Sequence, residues 1–96
     1  MGNPHPKVMA HKIIVNGIEY PLYIVANKDY IPNDILDNDE IRYVVQIPEG
    51  TVEIQDGAFA ECKGLYAVFM PKSNTFKKIG NYAFKNCRNL EIVTPA

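Results

Sequence analysis

Cys62 and Cys87 are the only two cysteines among the 96 residues, and their thiols are the most reactive side chains of the chain. Thiols can form a disulfide, bind a metal ion or act as nucleophiles. No histidine lies near either cysteine in the sequence, so neither a zinc site nor a Cys-His nucleophile is expected. Free cysteines otherwise behave as small buried hydrophobic side chains, and we expect both thiols to be reduced and shielded from solvent.

The other groups capable of chemistry form no recognisable site. Both histidines, His5 and His11, lie near the N-terminus. The segment DILDNDE (residues 34–40) is rich in carboxylates but lacks the glycine and the terminal glutamate of an EF-hand loop, so a solvated acidic surface is expected there. The chain contains no glycine-rich phosphate loop and no set of nucleophile, base and orienting residue. The sequence therefore predicts no catalytic residue, no metal site, no cofactor and no enzymatic activity.

Charge is unevenly distributed along this nearly neutral chain. Residues 1–56 contain nine acidic and four basic residues, residues 57–96 contain two acidic and six basic residues, and the net charge is −1. Most of the later basic residues lie near Phe76 and Tyr82: Lys72, Lys77, Lys78, Lys85 and Arg88. Such a group can bind single-stranded nucleic acid, but the net charge argues against a dedicated binder of nucleic acid or anionic membranes. The division of charge also favours head-to-tail association or the steering of a charged partner.

The C-terminal part of the chain is an internal repeat. The stretches VEIQDGAFAECKGLYAV (residues 52–68) and KKIGNYAFKNCRNLEIV (residues 77–93) align at a constant offset of 25, which matches Phe59 with Phe84 and Cys62 with Cys87. A period of roughly 20–29 residues with one strand per unit indicates a solenoid of the leucine-rich kind. Stacked units would place the two cysteines about 4.8 Å apart, one strand spacing, which leaves a disulfide as the alternative to buried thiols.

Each unit is expected to contain a short helical turn, a bend and a short strand. Asn33, Asp56 and Asn81 follow the repeat and are good N-cap residues for such a turn. The segment DILDND is then a degenerate first unit. The fold class predicted is an α/β solenoid, a short leucine-rich repeat stack with parallel strands and short helical turns, preceded by an N-terminal β-hairpin cap.

The hairpin is predicted from the dipeptide Asn16-Gly17. It separates two runs of apolar, β-branched residues, and it favours the type I′ turn of a tight hairpin. Strands are expected near residues 12–15 and 18–25, with Pro21 forcing a bulge or an edge position. The predicted domain organisation is a disordered tail at residues 1–11, a β-hairpin cap at residues 12–32 and a leucine-rich repeat solenoid at residues 33–96.

The pattern IPEGTVEIQDGAFAEC, followed by IGNYAFKNCRNLEIV, resembles the BspA-like leucine-rich repeat family. The family motif is roughly I-G-x-x-A-F-x-x-C-x-x-L-x-x-V-x-I-P, and the match covers about residues 44–95. The resemblance implies a right-handed solenoid with a parallel sheet. Members of this family are often large bacterial surface or secreted proteins that bind other proteins, and similar repeats occur in phage and protist proteins.

Alternation along the strands separates a core face from an outer face. Val45, Ile47, Val68 and Met70 are expected to point into the core, so their neighbours point outward. An outward apolar row flanked by aromatic residues is the best candidate for a partner-binding surface. Its predicted residues are Tyr43, Val44, Gln46, Tyr66, Ala67, Phe69, Ile92 and Thr94. The alternative is that the N-terminal hairpin folds over this face and buries it.

These observations predict a non-enzymatic module that binds another protein through the strand face of a small solenoid. The alternatives are a self-assembling unit, with a homodimer joined through the C-terminal strand near residues 90–94, and a phage-like inhibitor or accessory protein that docks on an enzyme. No apolar run reaches the roughly 18 residues of a membrane-spanning helix, and no secretory signal is recognisable. A cytoplasmic location is therefore expected, or a surface or secreted location if the chain is a fragment of a larger protein.

Overall fold

The computed structural model of the protein describes residues 11–94. Its strands are β1 (His11–Val15), β2 (Ile18–Ile24), β3 (Tyr43–Gln46), β4 (Glu53–Ile54), β5 (Leu65–Phe69), β6 (Lys78–Ile79) and β7 (Ile92–Thr94). They form a five-stranded sheet in the order β1-β2-β3-β5-β7 and a two-stranded sheet of β4 and β6. Helical structure among these residues is limited to a 3-10 helix at Lys28–Tyr30 and a single α-helical turn, α1, at Asn33–Leu36.

The repeats stack as a β-solenoid of about three turns with parallel strands. Val45 pairs with Val68, and Val68 pairs with Val93, in the parallel ladders of β3, β5 and β7. The expected parallel stack is therefore confirmed, and so is the alignment of the repeats. We call residues 53–69 the middle unit and residues 78–94 the last unit.

A helical turn is present in the first unit, as α1, where Pro32 and not Asn33 is the N-cap residue, but the middle and last units contain turns of irregular backbone instead of the expected helical turns. Gly57 and Glu61 in the middle unit have φ of 68°, and the matching Tyr82 and Asn86 have φ of 61° and 60°. A left-handed residue cannot belong to a right-handed helix, so these positions interrupt any helix at regular intervals. Asp56 likewise caps no helix: its Oδ1 atom accepts the backbone N–H of Asn81 in the last unit, at 2.7 Å.

The alternating backbone conformation turns every second N–H group toward the next unit. In the middle unit the N–H groups of Gly57, Phe59 and Glu61 donate to carbonyl oxygens of the last unit, at 2.9, 2.8 and 2.7 Å. The acceptors are the carbonyl oxygens of Asn81, Ala83 and Lys85. Hydrogen bonds between units therefore satisfy these N–H groups, whereas the N–H groups of Ala58, Ala60 and Cys62 bond to carbonyl oxygens within the middle unit.

The N-terminal hairpin is present and belongs to the solenoid sheet. Asn16 and Gly17 have φ of 51° and 84°, as a type I′ turn requires, and they join the antiparallel strands β1 and β2. Strand β2 then pairs in parallel with β3 from Leu22 onward. Pro21 lies just before that pairing, opposite Lys12, and the register of the hairpin runs through it without the expected bulge. The predicted tail lies outside the described residues except for His11, which begins β1.

The core lies between the strands of the large sheet and the turns on the opposite side. Its central ring is Phe59, which is 0% exposed and stacks on the partly buried Phe84, with ring centroids 5.6 Å apart and planes inclined by 3°. The four side chains that alternation assigned to the core are buried: Val45, Ile47, Val68 and Met70. Repetition of the same side chain at the same phase thus builds a continuous core through the stack.

Candidate interaction surface

The outer face of the large sheet consists of two lateral rows of side chains. The pairing registers place Leu22, Val44, Ala67 and Ile92 in the first row. They place Ile24, Gln46, Phe69 and Thr94 in the second. The hairpin strand β2 therefore adds Leu22 and Ile24 to the surface that the repeats alone were expected to form.

Three of the eight predicted surface residues are fully buried, so their predicted exposure is wrong. Tyr43, Val44 and Ala67 are each 0% exposed. Tyr43 pairs with Leu65 and Val44 pairs with Ala67, so the register shifts by one residue at this point and β5 bulges at Tyr66. Tyr43 lies two residues before Val45 in β3 and therefore points to the same side, into the core, where its ring meets Tyr23 edge-on at a centroid distance of 5.8 Å.

Val44 and Ala67 do lie in the outer row, but their small side chains are covered laterally. In this row Val44 lies between Leu22 and Ala67, and Ala67 lies between Val44 and Ile92. The bulge directs Tyr66 toward the hairpin, where its ring stacks on Tyr20 at 4.9 Å between centroids. The hairpin strands thus extend this face as neighbours in the same sheet and do not fold over it as the alternative interpretation proposed. The second row stays accessible.

An open groove of about 760 Å³ follows the second row. The predicted surface residues Gln46, Phe69 and Thr94 line it together with Ile13 and Ile24 from the hairpin. The other predicted residue, Ile92, lies in the neighbouring row and is partly buried. Sequence reasoning missed Ile13 and Ile24. The predicted hairpin did supply a signal for them, because a hairpin strand that pairs with β3 extends the rows of outer side chains.

Hydrogen bonds hold the polar groups of the groove in place. The Gln46 amide donates through Nε2 to the carbonyl oxygens of Ile47 and Phe69, at 2.9 and 3.2 Å. At the rim, the Glu49 carboxylate accepts the backbone N–H groups of Lys72 and Ser73, at 2.7 and 2.9 Å. The groove therefore has an apolar floor and a fixed polar edge, which suits an apolar segment of another polypeptide.

The two cysteines are free thiols in adjacent units. Cys62 is buried, whereas Cys87 is only partly buried and donates its S–H to the carbonyl oxygen of Phe59 at 3.0 Å. The neighbouring Cys87 thiol, together with the positive charge of Lys28, holds the pKa of Cys62 below its ordinary value. The adjacent Cys62 sulfur, which favours the protonated form of the Cys87 thiol, and burial raise the pKa of Cys87.

Tyr43 is a further buried polar group beside this pair. Its hydroxyl has no hydrogen-bond partner within the part of the chain that the structure describes. Burial raises the pKa of Tyr43 well above its ordinary value, so the phenol stays protonated. The thiols and this phenol lie in an apolar core, and they form no arrangement of nucleophile and base.

Residues 11–94 contain neither a cluster of metal-ligating side chains nor a membrane-spanning helix. No group of three or more histidine, cysteine, aspartate or glutamate side chains there could hold a metal ion. No helix in the same range is long and apolar enough to cross a membrane.

Comparison with known proteins points to one family. A family model for the BspA type leucine rich repeat region (6 copies) matches residues 29–95. No curated protein and no solved structure matches the chain. The matched region includes β3 to β7, the core ring Phe59 and the outer residues Gln46 and Phe69. The parallel stack, the repeat phase and this match agree, and the chain belongs to the BspA-type leucine-rich repeat family.

Proposed function

We propose that this protein is a non-enzymatic interaction module that binds an apolar segment of another protein in the groove beside Gln46, Phe69 and Thr94. The observation that carries the proposal is the convergence of repeat and hairpin side chains on one open apolar groove. Repeat proteins of the leucine-rich kind are often used for protein interaction, and the family match supports the same class of function.

Phe69 is the expected anchor of this interaction. It lies between Gln46 and Thr94 in its row and is only partly buried, so its ring remains available at the centre of the groove. Aromatic anchors at the centre of an interface contribute disproportionately to affinity. Ile13 and Ile24 flank it with apolar surface, and Ile24 is 42% exposed.

The test uses matched variants in the groove and outside it. Phe69→Asp places an uncompensated charge in the apolar floor, and Thr94→Arg changes the groove at a position that needs no core repacking. Ile14→Asp serves as the control, because Ile14 is 70% exposed and does not line the groove. Thermal unfolding of each variant first establishes that it is folded.

The readout is the set of proteins that the immobilised chain captures, compared between variants by quantitative mass spectrometry. A partner bound through the groove is lost with Phe69→Asp and Thr94→Arg and is retained with Ile14→Asp. Capture of the same proteins by all three variants would overturn the proposal.

A further inference from the structure

The two free thiols occupy the same phase of adjacent units, and hydrogen bonds between the units hold the backbone on both sides of them. Just before the cysteines, the N–H of Glu61 donates to the carbonyl oxygen of Lys85 at 2.7 Å. Just after them, Nδ2 of Asn89 donates to the carbonyl oxygen of Lys63 at 2.7 Å. Units that hydrogen-bond in this way lie about 4.8 Å apart. This spacing is within the Cα separation of roughly 4.4–6.8 Å that a disulfide requires.

One carbonyl oxygen links the two cysteines. The Phe59 oxygen accepts the backbone N–H of Cys62 at 3.3 Å and the S–H of Cys87 at 3.0 Å. The Cys87 sulfur therefore lies against the backbone of the turn that contains Cys62. When Cys87 loses its S–H proton, this oxygen keeps the bond from the Cys62 N–H, so a change of the sulfur leaves no buried acceptor without a partner.

The two sulfurs differ in accessibility and in charge. Cys62 is 1% exposed, whereas Cys87 is only partly buried and is the sulfur that a small solute reaches. The neighbouring Cys87 thiol, the Tyr43 hydroxyl and Lys28 lower the pKa of Cys62 to about 7 against the opposing effect of burial. The Tyr43 hydroxyl has no other partner among residues 11–94, so its proton is available to a Cys62 thiolate.

We propose that hydrogen peroxide converts Cys62 and Cys87 to an intramolecular disulfide that joins the middle and last units. Cys87 is the sulfur that is oxidised first, and Cys62 is the sulfur that resolves it. Neither cysteine lines the groove, so the inference does not depend on the function proposed above.

The reaction takes two steps and needs only peroxide as the oxidant. The Cys87 thiolate attacks one peroxide oxygen, the O–O bond breaks, and the departing hydroxide takes up the proton that the thiol released. Cys87 is then a sulfenic acid, and the Cys62 thiolate attacks its sulfur. The S–S bond forms, the S–O bond breaks, and the second hydroxide takes up the proton from Cys62. Two thiols are oxidised by two electrons in all, and one peroxide molecule is reduced to two water molecules.

The two steps are expected to differ in rate. The Cys62 sulfur and burial raise the pKa of Cys87, so little Cys87 thiolate is present at neutral pH and formation of the sulfenic acid is slow. The Cys62 thiolate lies beside the oxidised sulfur and attacks it within the same molecule. The sulfenic acid therefore does not accumulate in the native chain.

The test follows the full chain, reduced beforehand, during incubation with a molar excess of hydrogen peroxide. Intact mass spectrometry measures the hydrogens lost and the oxygens gained, non-reducing tryptic digestion locates any cross-link, and dimedone traps sulfenic acid. Three variants are treated in parallel: Cys87→Ser, Cys62→Ala, and Cys87→Ser combined with Arg88→Cys. The double variant is the matched control, because it moves the second thiol by one residue to an exposed position out of phase with Cys62. Circular dichroism first establishes that each variant is folded, and the native chain alone decides the central result.

The native chain is expected to lose two hydrogen atoms and to give one cross-link, between the peptides that contain Cys62 and Cys87. Dithiothreitol restores both thiols. Trapped sulfenic acid at Cys87 should be about tenfold or more abundant in Cys62→Ala than in the native chain, because the resolving thiolate is missing. Cys87→Ser should stay unmodified over the same time, since Cys62 is shielded, and the double variant should form no cross-link within the chain.

Four results would overturn the proposal. Oxygen atoms added to the native chain without the loss of two hydrogens would show that Cys62 does not resolve the sulfenic acid. A cross-link between two chains would place the reaction between molecules. An unchanged mass until denaturant is added would show that both sulfurs are inaccessible in the folded chain. An equal cross-link in the double variant would show that the register of the units does not select the pair.

Discussion

The middle and last units have nearly the same sequence pattern but different environments. Phe59 and Ile54 of the middle unit are each 0% exposed. Their equivalents in the last unit are less buried: Phe84 is partly buried and Ile79 is 47% exposed. Because a solenoid unit contacts only its neighbours, a side chain is fully buried only when a unit lies on each side of it. The same residue at the same phase therefore contributes differently to stability in the two units.

The largest contrast is expected for the stacked phenylalanines. Phe59→Ala should lower the free energy of unfolding by about 3–5 kcal/mol, because it leaves a cavity in the middle of the core. Phe84→Ala should cost roughly half as much, since part of its ring is already in contact with solvent. Urea denaturation of the two variants measures both values. Equal costs would contradict the comparison and would indicate that the Phe84 ring is as well covered in solution as the Phe59 ring.

A smaller contrast is expected for the strand valines. Val68→Ala should lower the free energy of unfolding by about 2 kcal/mol, whereas Val93→Ala should lower it by less than about 1 kcal/mol. Val68 is 0% exposed and Val93 is 46% exposed, although the two residues are paired in adjacent strands. The same denaturation experiment measures the difference. If Val93→Ala costs more than Val68→Ala, then the assignment of the inward face of β7 is wrong.

The left-handed positions of the two turns allow a comparison of backbone strain. Gly57→Ala should cost about 1 kcal/mol, because φ is 68° there and no atom would contact the added Cβ. At the matching position, the Tyr82→Gly variant should be about 1 kcal/mol more stable than the Tyr82→Ala variant. Both variants lose the contact between the Tyr82 ring and Lys85, but only glycine relieves the strain of the positive φ. Thermal unfolding compares the three variants. Equal stability of Tyr82→Gly and Tyr82→Ala would show that the turn relaxes in solution.

The smallest effect is expected from the partly buried thiol. The pKa of Cys87 is raised in the folded protein, so the folded chain keeps a proton that the unfolded chain loses above pH about 8.5. The stabilising contribution of Cys87 is therefore present below that pH and falls as the pH rises through the folded pKa. The free energy of unfolding should fall more between pH 7.5 and about 9.5 for the native chain than for Cys87→Ser. An equal fall in both chains would exclude this contribution.

Local patterns in the sequence predicted the parts of the fold that depend on neighbouring residues. The period of the repeat placed Val45, Val68 and Val93 in adjacent parallel strands, and Asn16-Gly17 predicted the hairpin. Of the candidate surface, the prediction included Gln46, Phe69 and Thr94, which do line the groove. It failed for Tyr43, which was placed beside the outer row although it lies two residues from Val45 and so shares the core side of β3.

The sequence alone determined the repeat phase, the parallel stack and the tight hairpin, since each follows from residue types at short or regular spacing. Only the tertiary structure decided where the turns adopt left-handed backbone, how the hairpin brings Ile13 to the groove, and which outer residues are covered. The physical reason is that burial and register depend on side chains from strands distant in the sequence. Val44 lies between Leu22 and Ala67 and is 0% exposed, and no pattern around Val44 itself contains that information.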